Sequence, residues 1–197
     1  MPSNRYSTLT SYESFLKTRL FDPLGMIDTT FYPTPEQLKR AAVIYDRKDE
    51  TLQLPASTLI GPSTGAKYPI PAGGLYATAP DLARLYRMML NNGAADGRRY
   101  LSESSVEAMT QVQTGDLKTG FTEGMAFGFG WGVVRQPQDV TERLSAGSYG
   151  HGGAFGTQGW IDPNNQLISI MLIQRADGDT ESMTQIFLNM AEASVSK

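Results

Sequence analysis

Apolar residues recur along this chain at helical spacing in its first half and at alternating spacing later, so helices should come first and strands afterwards. In "TSYESFLKTRL", Tyr12, Phe15, Leu16 and Leu20 recur at helical intervals behind Thr10 and Glu13, which stand in capping-box spacing. This predicts a helix over about residues 11 to 21 with one face buried, ended by Pro23 and Gly25 in "DPLG". "TPEQLKRAAVIY" predicts a short helix from Thr34. The following "DRKDETLQLPASTLIGPSTGAKYPIP" has prolines and little periodicity and reads as loop with room for short strands. "YATAPDLARLYRMMLNNG" carries the strongest helix signal: Thr78 as N-cap, Pro80 in the first turn, Asp81 at the third position, apolar Leu82, Leu85, Met88 and Met89, and Gly93 past the end. A further short helix is expected in "SESSVEAMTQV", capped by Ser102 or Ser104.

Beyond that point glycine and aromatics take over. "MAFGFGWGVV" alternates Phe127, Phe129, Trp131 and Val133 with Gly128, Gly130 and Gly132, which predicts one strand with a bare face that another group approaches closely. Two more strands are expected in "SYGHGGAFGTQGWIDPNNQLISIMLIQR", with "DPNNQ" as the turn between them. The nearly continuous apolar run "LISIMLI" predicts a strand covered on both faces and central in its sheet. A terminal helix follows, lined on one side by Met183, Ile186, Phe187, Met190 and Ala191. The expected class is therefore α+β, two layers, with helices followed by an antiparallel sheet of about three strands and a C-terminal helix. Residues 1–125 form a helical region with a long Pro/Gly loop, and residues 126–197 the strands and last helix, within one compact unit.

Composition narrows the function. With 197 residues, 40% of them apolar, the chain can bury a real core. A net charge of −3 without blocks of like charge gives no electrostatic footprint for nucleic acid or an anionic membrane. The absence of cysteine excludes disulfides and a thiol nucleophile. One histidine and scattered acidic residues argue against a metal site, and no P-loop or dinucleotide fingerprint is present, so no cofactor is expected. Neither a transmembrane run of about 18 apolar residues nor a signal peptide is evident, which leaves localisation open.

Three places could carry chemistry. Ser14 and Lys17 in "SFLK" have the Ser-x-x-Lys spacing of an acyl-transfer nucleophile and its base. At about 100° per residue, however, they point away from the apolar face of their helix, and an exposed lysine is not desolvated enough to be a base. His151, the only histidine, begins the glycine-rich "HGGAFGTQG"; this is either a glycine-rich hairpin or a strand edge whose N–H groups grip an acyl oxygen. Gly73 and Gly74 in "PAGGLYAT" are either a turn before a helix or part of a ligand-facing wall.

Four stretches taken together, "SFLKTRLFDPLGMIDTTF", "PAGGLYATAPDLARLYRMMLNNG", "YLSESSVEAM" and "YGHGGAFGTQGWIDPNNQLISIMLIQ", resemble the serine β-lactamase and penicillin-binding-protein superfamily. The likeness is to its class C-like branch of β-lactamases, D-alanyl-D-alanine peptidases and esterases. It implies that Pro23 to Met26 follow a helix of the helical domain, and that Gly73 to Asp81 correspond to the Gly-Gly pair and the Ser/Thr-x-x-Asp that lead into a helix beside the active site. His151-Gly152-Gly153 stand at the Lys-Thr-Gly or His-x-Gly position of the cleft strand. On this match the N–H of Ala154 is an oxyanion-hole donor, His151 faces substrate, and Gly73 and Gly74 form cleft wall.

The family's catalytic Ser-x-x-Lys and Tyr-x-Asn both precede the helix before Pro-Leu-Gly-Met, and neither has a match here. The resemblance thus implies the C-terminal portion of a β-lactamase/transpeptidase-like fold, inactive alone, whose parent hydrolyses a small-molecule acyl substrate: a β-lactam, a D-Ala peptide or an ester. The strand "LISIMLI" would then be left as an edge, to be covered by self-association, a strand swap or a complementing N-terminal half. The alternatives are a non-catalytic binding module of the same fold and an active esterase using Ser14.

Overall fold

The computed structural model describes residues 10–49, 51–55, 68–119, 123–176 and 180–195. Helix α1 (Tyr12–Leu16) passes into a π-helical turn, Lys17–Phe21, and then into α2 (Asp22–Leu24), which Gly25 ends in the left-handed region at φ 69°. This differs from the expected helix in three ways. The cap is Ser11, whose side chain accepts from the N–H of Ser14, and helical structure runs on through Pro23, which tolerates a first-turn position. Tyr12 and Phe15, expected to be buried, are 46% and 51% exposed. The wider π turn rotates the later residues, so Phe21 and Leu24 are the ones that enter the core.

Helix α3 (Pro35–Leu38) has the Thr34–Gln37 capping box. A hairpin of β1 (Asp46–Lys48) and β2 (Thr51–Gln53) follows within the expected loop, whose residues 56–67 lie outside the described residues. Helix α4 (Ala79–Leu90) forms as expected, with the Thr78 side chain accepting from the N–H of Asp81. After a two-residue hairpin, β3 (Ala94–Ala95) and β4 (Arg98–Arg99), α5 (Glu103–Thr110) is capped by Ser102.

The sheet is antiparallel with five strands, not about three: β5 (Met125–Phe127), β6 (Gly132–Val134), β7 (Tyr149–Gly152), β8 (Gln158–Asp162) and β9 (Leu167–Met171), ordered in chain sequence. The single strand expected in "MAFGFGWGVV" folds back on itself as a hairpin, because Gly130 at φ 79° turns the chain. The bare face is real at Gly128, where an added Cβ would lie 2.0 Å from the Met109 carbonyl oxygen at the end of α5. A second hairpin, β7–β8, hides inside "GHGGAFGTQGW". "DPNNQ" turns between β8 and β9. Strand β9 is not central: among the described residues it pairs with β8 alone and ends the sheet.

Side-chain alternation divides the core between the two faces of the sheet. Tyr149 and Ile161 join Phe21, Leu24, Tyr86 and Met89 on the α4 side, and full burial of a side chain such as Ile161 contributes about 1.5–3 kcal/mol. Trp160 joins Val134, Leu144 and Leu188 on the other side, where helix α6 (Glu181–Val195) packs. Helix α6 docks through Thr184 and Leu188, with Phe187 packed against that cluster. Met183, Ile186 and Met190, expected on the same apolar side, form an exposed flank instead, Met190 being 68% accessible. No helix among the described residues is long and apolar enough to cross a membrane.

Candidate active-site cleft

A cleft of about 730 Å³ opens between the front of α4, the segment around Asp28 to Ile44, and the β7–β8 hairpin. That is an ordinary size for a small-molecule site. Its walls are mainly apolar, with Leu75, Leu82, Ile44, Phe155 and Leu172 among them.

The glycine-rich hairpin brings His151, Gly153 and Ala154 to this cleft. Strand alternation puts His151 on the same face as Tyr149 and Ile161. Its ring stands edge-on to Phe127, with centroids 5.7 Å apart at 61°. Its Nδ1 contacts the Gly152 carbonyl, which can only accept, so Nδ1 is the donor of that contact. The turn is closed by Gly153 N–H donating to the Thr157 carbonyl at 2.8 Å and Gly156 N–H to the Gly153 carbonyl at 2.9 Å. The N–H of Ala154 between them has no acceptor among the described residues. An unpaired backbone donor on a cleft rim is the component from which an oxyanion hole is built.

Gly73 also lines the cleft. Gly74 does not; it closes a turn by donating to the Ile70 carbonyl at 2.8 Å, and its bare Cα lies against Ile70. Gly152 is likewise outside the lining and packs against the Gln158 side chain. Ser14 and Lys17 stand apart from the cleft: Ser14 is exposed and accepts from the Ser11 hydroxyl at 2.9 Å, and the Lys17 ammonium is paired with Asp22 at the surface. Among the described residues no group of three or more His, Asp or Glu side chains is placed to hold a metal ion.

Three arrangements at the cleft join residues distant in sequence, and of these residues only Asp81 stood in a motif. Arg40 clamps the Asp28 carboxylate with both guanidinium nitrogens, and this hydrogen-bonded pairing holds the Asp28 carboxyl below the usual carboxylate range while raising Arg40. Asp81, only 1% exposed, accepts from the Asp28 N–H at 2.8 Å, the Thr29 hydroxyl at 2.9 Å and Arg84 at 3.2 Å, and so ties this wall to α4. Tyr86, 8% exposed, reaches from α4 to the bare Gly159 of β8, and burial pushes its hydroxyl up to about 12. The glycine in "TQGW" was the one available signal for the last of these, since a glycine inside a strand marks a close approach.

The β-lactamase family model matches residues 4–190. An uncharacterized protein of Mycobacterium tuberculosis is 36% identical over 168 residues, covering 79% of this chain and 41% of its own length. Penicillin-binding protein 4 of Amycolatopsis lactamdurans is 32% identical over 151 residues, covering 75% of this chain and 36% of its own. Among solved structures, "EstCE1, a hydrolase with promiscuous acyltransferase activity" superposes with a TM-score of 0.72 at 20% identity, covering 93% of this chain and 50% of that one. The chain therefore spans half or less of the length of these proteins, and its mixed helical and antiparallel architecture is that of the β-lactamase/transpeptidase-like fold. On the family match across nearly its whole length, this chain belongs to the β-lactamase family.

Proposed function

We propose that this chain forms one wall of the acyl-binding cleft of a β-lactamase-like serine hydrolase, and that its 197 residues alone do not complete the catalytic machinery. The observation that carries this reading is the lining itself. It holds the free N–H of Ala154 and the imidazole of His151, yet among the described residues it contains no serine and no lysine. Acyl transfer through a covalent intermediate needs a nucleophile beside its base, both within reach of the oxyanion donors. In this account Ala154 stabilises the developing oxyanion, His151 faces the substrate, and Gly73 lets it approach the wall. Ser14, on an exposed helix away from the cleft, takes no part.

The open side of the sheet favours partner dependence. Strand β9 has an unpaired edge among the described residues, and beside it the Met183, Ile186 and Met190 flank of α6 is exposed. A complementing polypeptide that adds a strand to β9 and an apolar helix to α6 would cover both. That the matched relatives are about twice as long supports this occupant over a second copy or a strand swap. No role for nucleic acid or a membrane surface enters the proposal.

The test is hydrolysis of a chromogenic cephalosporin and of nitrophenyl butyrate, by the chain alone and after mixing with a polypeptide supplying Ser-x-x-Lys and Tyr-x-Asn. The expected result is no turnover alone and turnover on mixing. Robust turnover by the chain alone would overturn the proposal.

A further inference from the structure

Among the described residues, the guanidinium charge of the cleft is already neutralised. Arg40 is the one Arg or Lys lining it among the described residues, and its guanidinium is engaged by Asp28 in a two-point ion pair. Gln37 also reaches the same carboxylate, at 3.5 Å, which holds Asp28 in place. His151 spends its Nδ1 proton on the Gly152 carbonyl, which leaves Nε2 as its outward polar atom. The glycines that follow it add no hydroxyl or cation. On the wall that the described residues form, a bound carboxylate would meet no unpaired arginine or lysine and would lose hydration to apolar side chains, an expensive transfer.

Tyr86 is the complementary observation. Tyr86 is 8% exposed and lines the cleft, and its hydroxyl, which stays accessible, has no hydrogen-bond partner among the described residues. An accessible hydroxyl without a protein partner is open to a ligand oxygen, which can accept its proton. The register places it. His151 and Gly159 are cross-strand partners on one face of the sheet, and a Cβ at Gly159 would lie 2.3 Å from the Tyr86 oxygen. Directly opposed Cβ positions are about 5 Å apart, so the Tyr86 hydroxyl and the His151 side chain border the same part of the cleft.

We propose that the cleft takes an uncharged acyl compound, an ester or amide without a free carboxylate, and that the Tyr86 hydroxyl donates to an oxygen of that ligand. This rests on the reading of the cleft as an acyl site and narrows it to one charge class. Tyr86 stays protonated, and a donor, across neutral pH.

The experiment titrates the isotopically labelled chain with two matched probes, methyl 4-phenylbutyrate and 4-phenylbutyrate, following the amide resonances of Ala154 and Gly159. The ester is expected to shift both and to bind at least about tenfold more tightly than the carboxylate. Tyr86→Phe should weaken the ester about fivefold, the size of one hydrogen bond, with an unchanged amide spectrum elsewhere. Asp28→Asn, which frees Arg40, should narrow the preference by strengthening carboxylate binding. Equal or tighter carboxylate binding to the unmodified chain overturns the charge assignment alone. Unchanged ester affinity in Tyr86→Phe overturns the role of that hydroxyl. If neither probe moves these resonances, both the charge assignment and the acyl-cleft reading fail.

Discussion

Gly159 leaves the space that the Tyr86 side chain occupies: a Cβ at residue 159 would stand 2.3 Å from the Tyr86 hydroxyl oxygen and under 3 Å from two ring carbons. The ring cannot simply withdraw, because Trp131 packs edge-on against it at 5.5 Å and against Tyr149 at 5.4 Å. Gly159→Ala should therefore destabilise the chain by about 1–3 kcal/mol through overpacking. Urea denaturation measures this, and adding Tyr86→Leu should recover part of the loss. Additive losses would mean that the two residues do not press on one another.

Asp81 joins two parts of the cleft that are distant in sequence. Its carboxylate satisfies the Asp28 N–H and the Thr29 hydroxyl from inside the protein. Asp81→Ala leaves both without a partner and is expected to cost about 2–3 kcal/mol, against about 1 kcal/mol for Thr78→Ala, which removes only the cap of α4. Denaturation midpoints of the two variants give the comparison. Equal costs would contradict the role of Asp81 as the tether.

Asp162 supplies a pH dependence with a definite sign. Burial alone would raise its carboxyl, but hydrogen bonds from the Ser145 N–H and from Asn165 outweigh that and hold it below its ordinary value. A depressed folded value means that its stabilisation is complete above the unfolded carboxylate value of about 4 and is lost as pH falls through the lower folded one. The stability difference between the native chain and Asp162→Asn should be constant from pH 7 to about pH 5 and shrink progressively at lower pH. A difference that grows on acidification would refute this.

The Ser14 and Lys17 side chains should be dispensable to the fold. Lys17 pairs with Asp22 where both are more than half exposed, and Ser14 exchanges hydrogen bonds only within its own helix turn and cap. Ser14→Ala and Lys17→Ala are expected to change stability by no more than about 0.5 kcal/mol each. A thermal unfolding series checks this, and a loss several times larger would show that the pair is structurally committed.

What the sequence revealed depended on whether the signal was local. Helix α4 was readable to its cap because Thr78, Pro80, Asp81 and Gly93 each act within one turn. The hairpins at Gly130 and at Gly153–Gly156 were not, since a glycine in a turn and a glycine on a strand face look the same when glycines alternate with aromatics. The first helix was placed, but its buried face was not, because a π turn breaks the 100° count on which face assignment depends. At the cleft, His151, Ala154 and Gly73 were reachable through a family likeness. Arg40 with Asp28 and Tyr86 with Gly159 were not, because these pairs form only when separate elements pack and no spacing announces them.

The most direct test of the central claim is covalent labelling of the isolated chain with a fluorophosphonate, followed by peptide mapping. A cleft wall without a nucleophile predicts no stoichiometric adduct on any serine, at Ser14 or elsewhere. A stoichiometric serine adduct that is lost when Lys17 or His151 is replaced would contradict it.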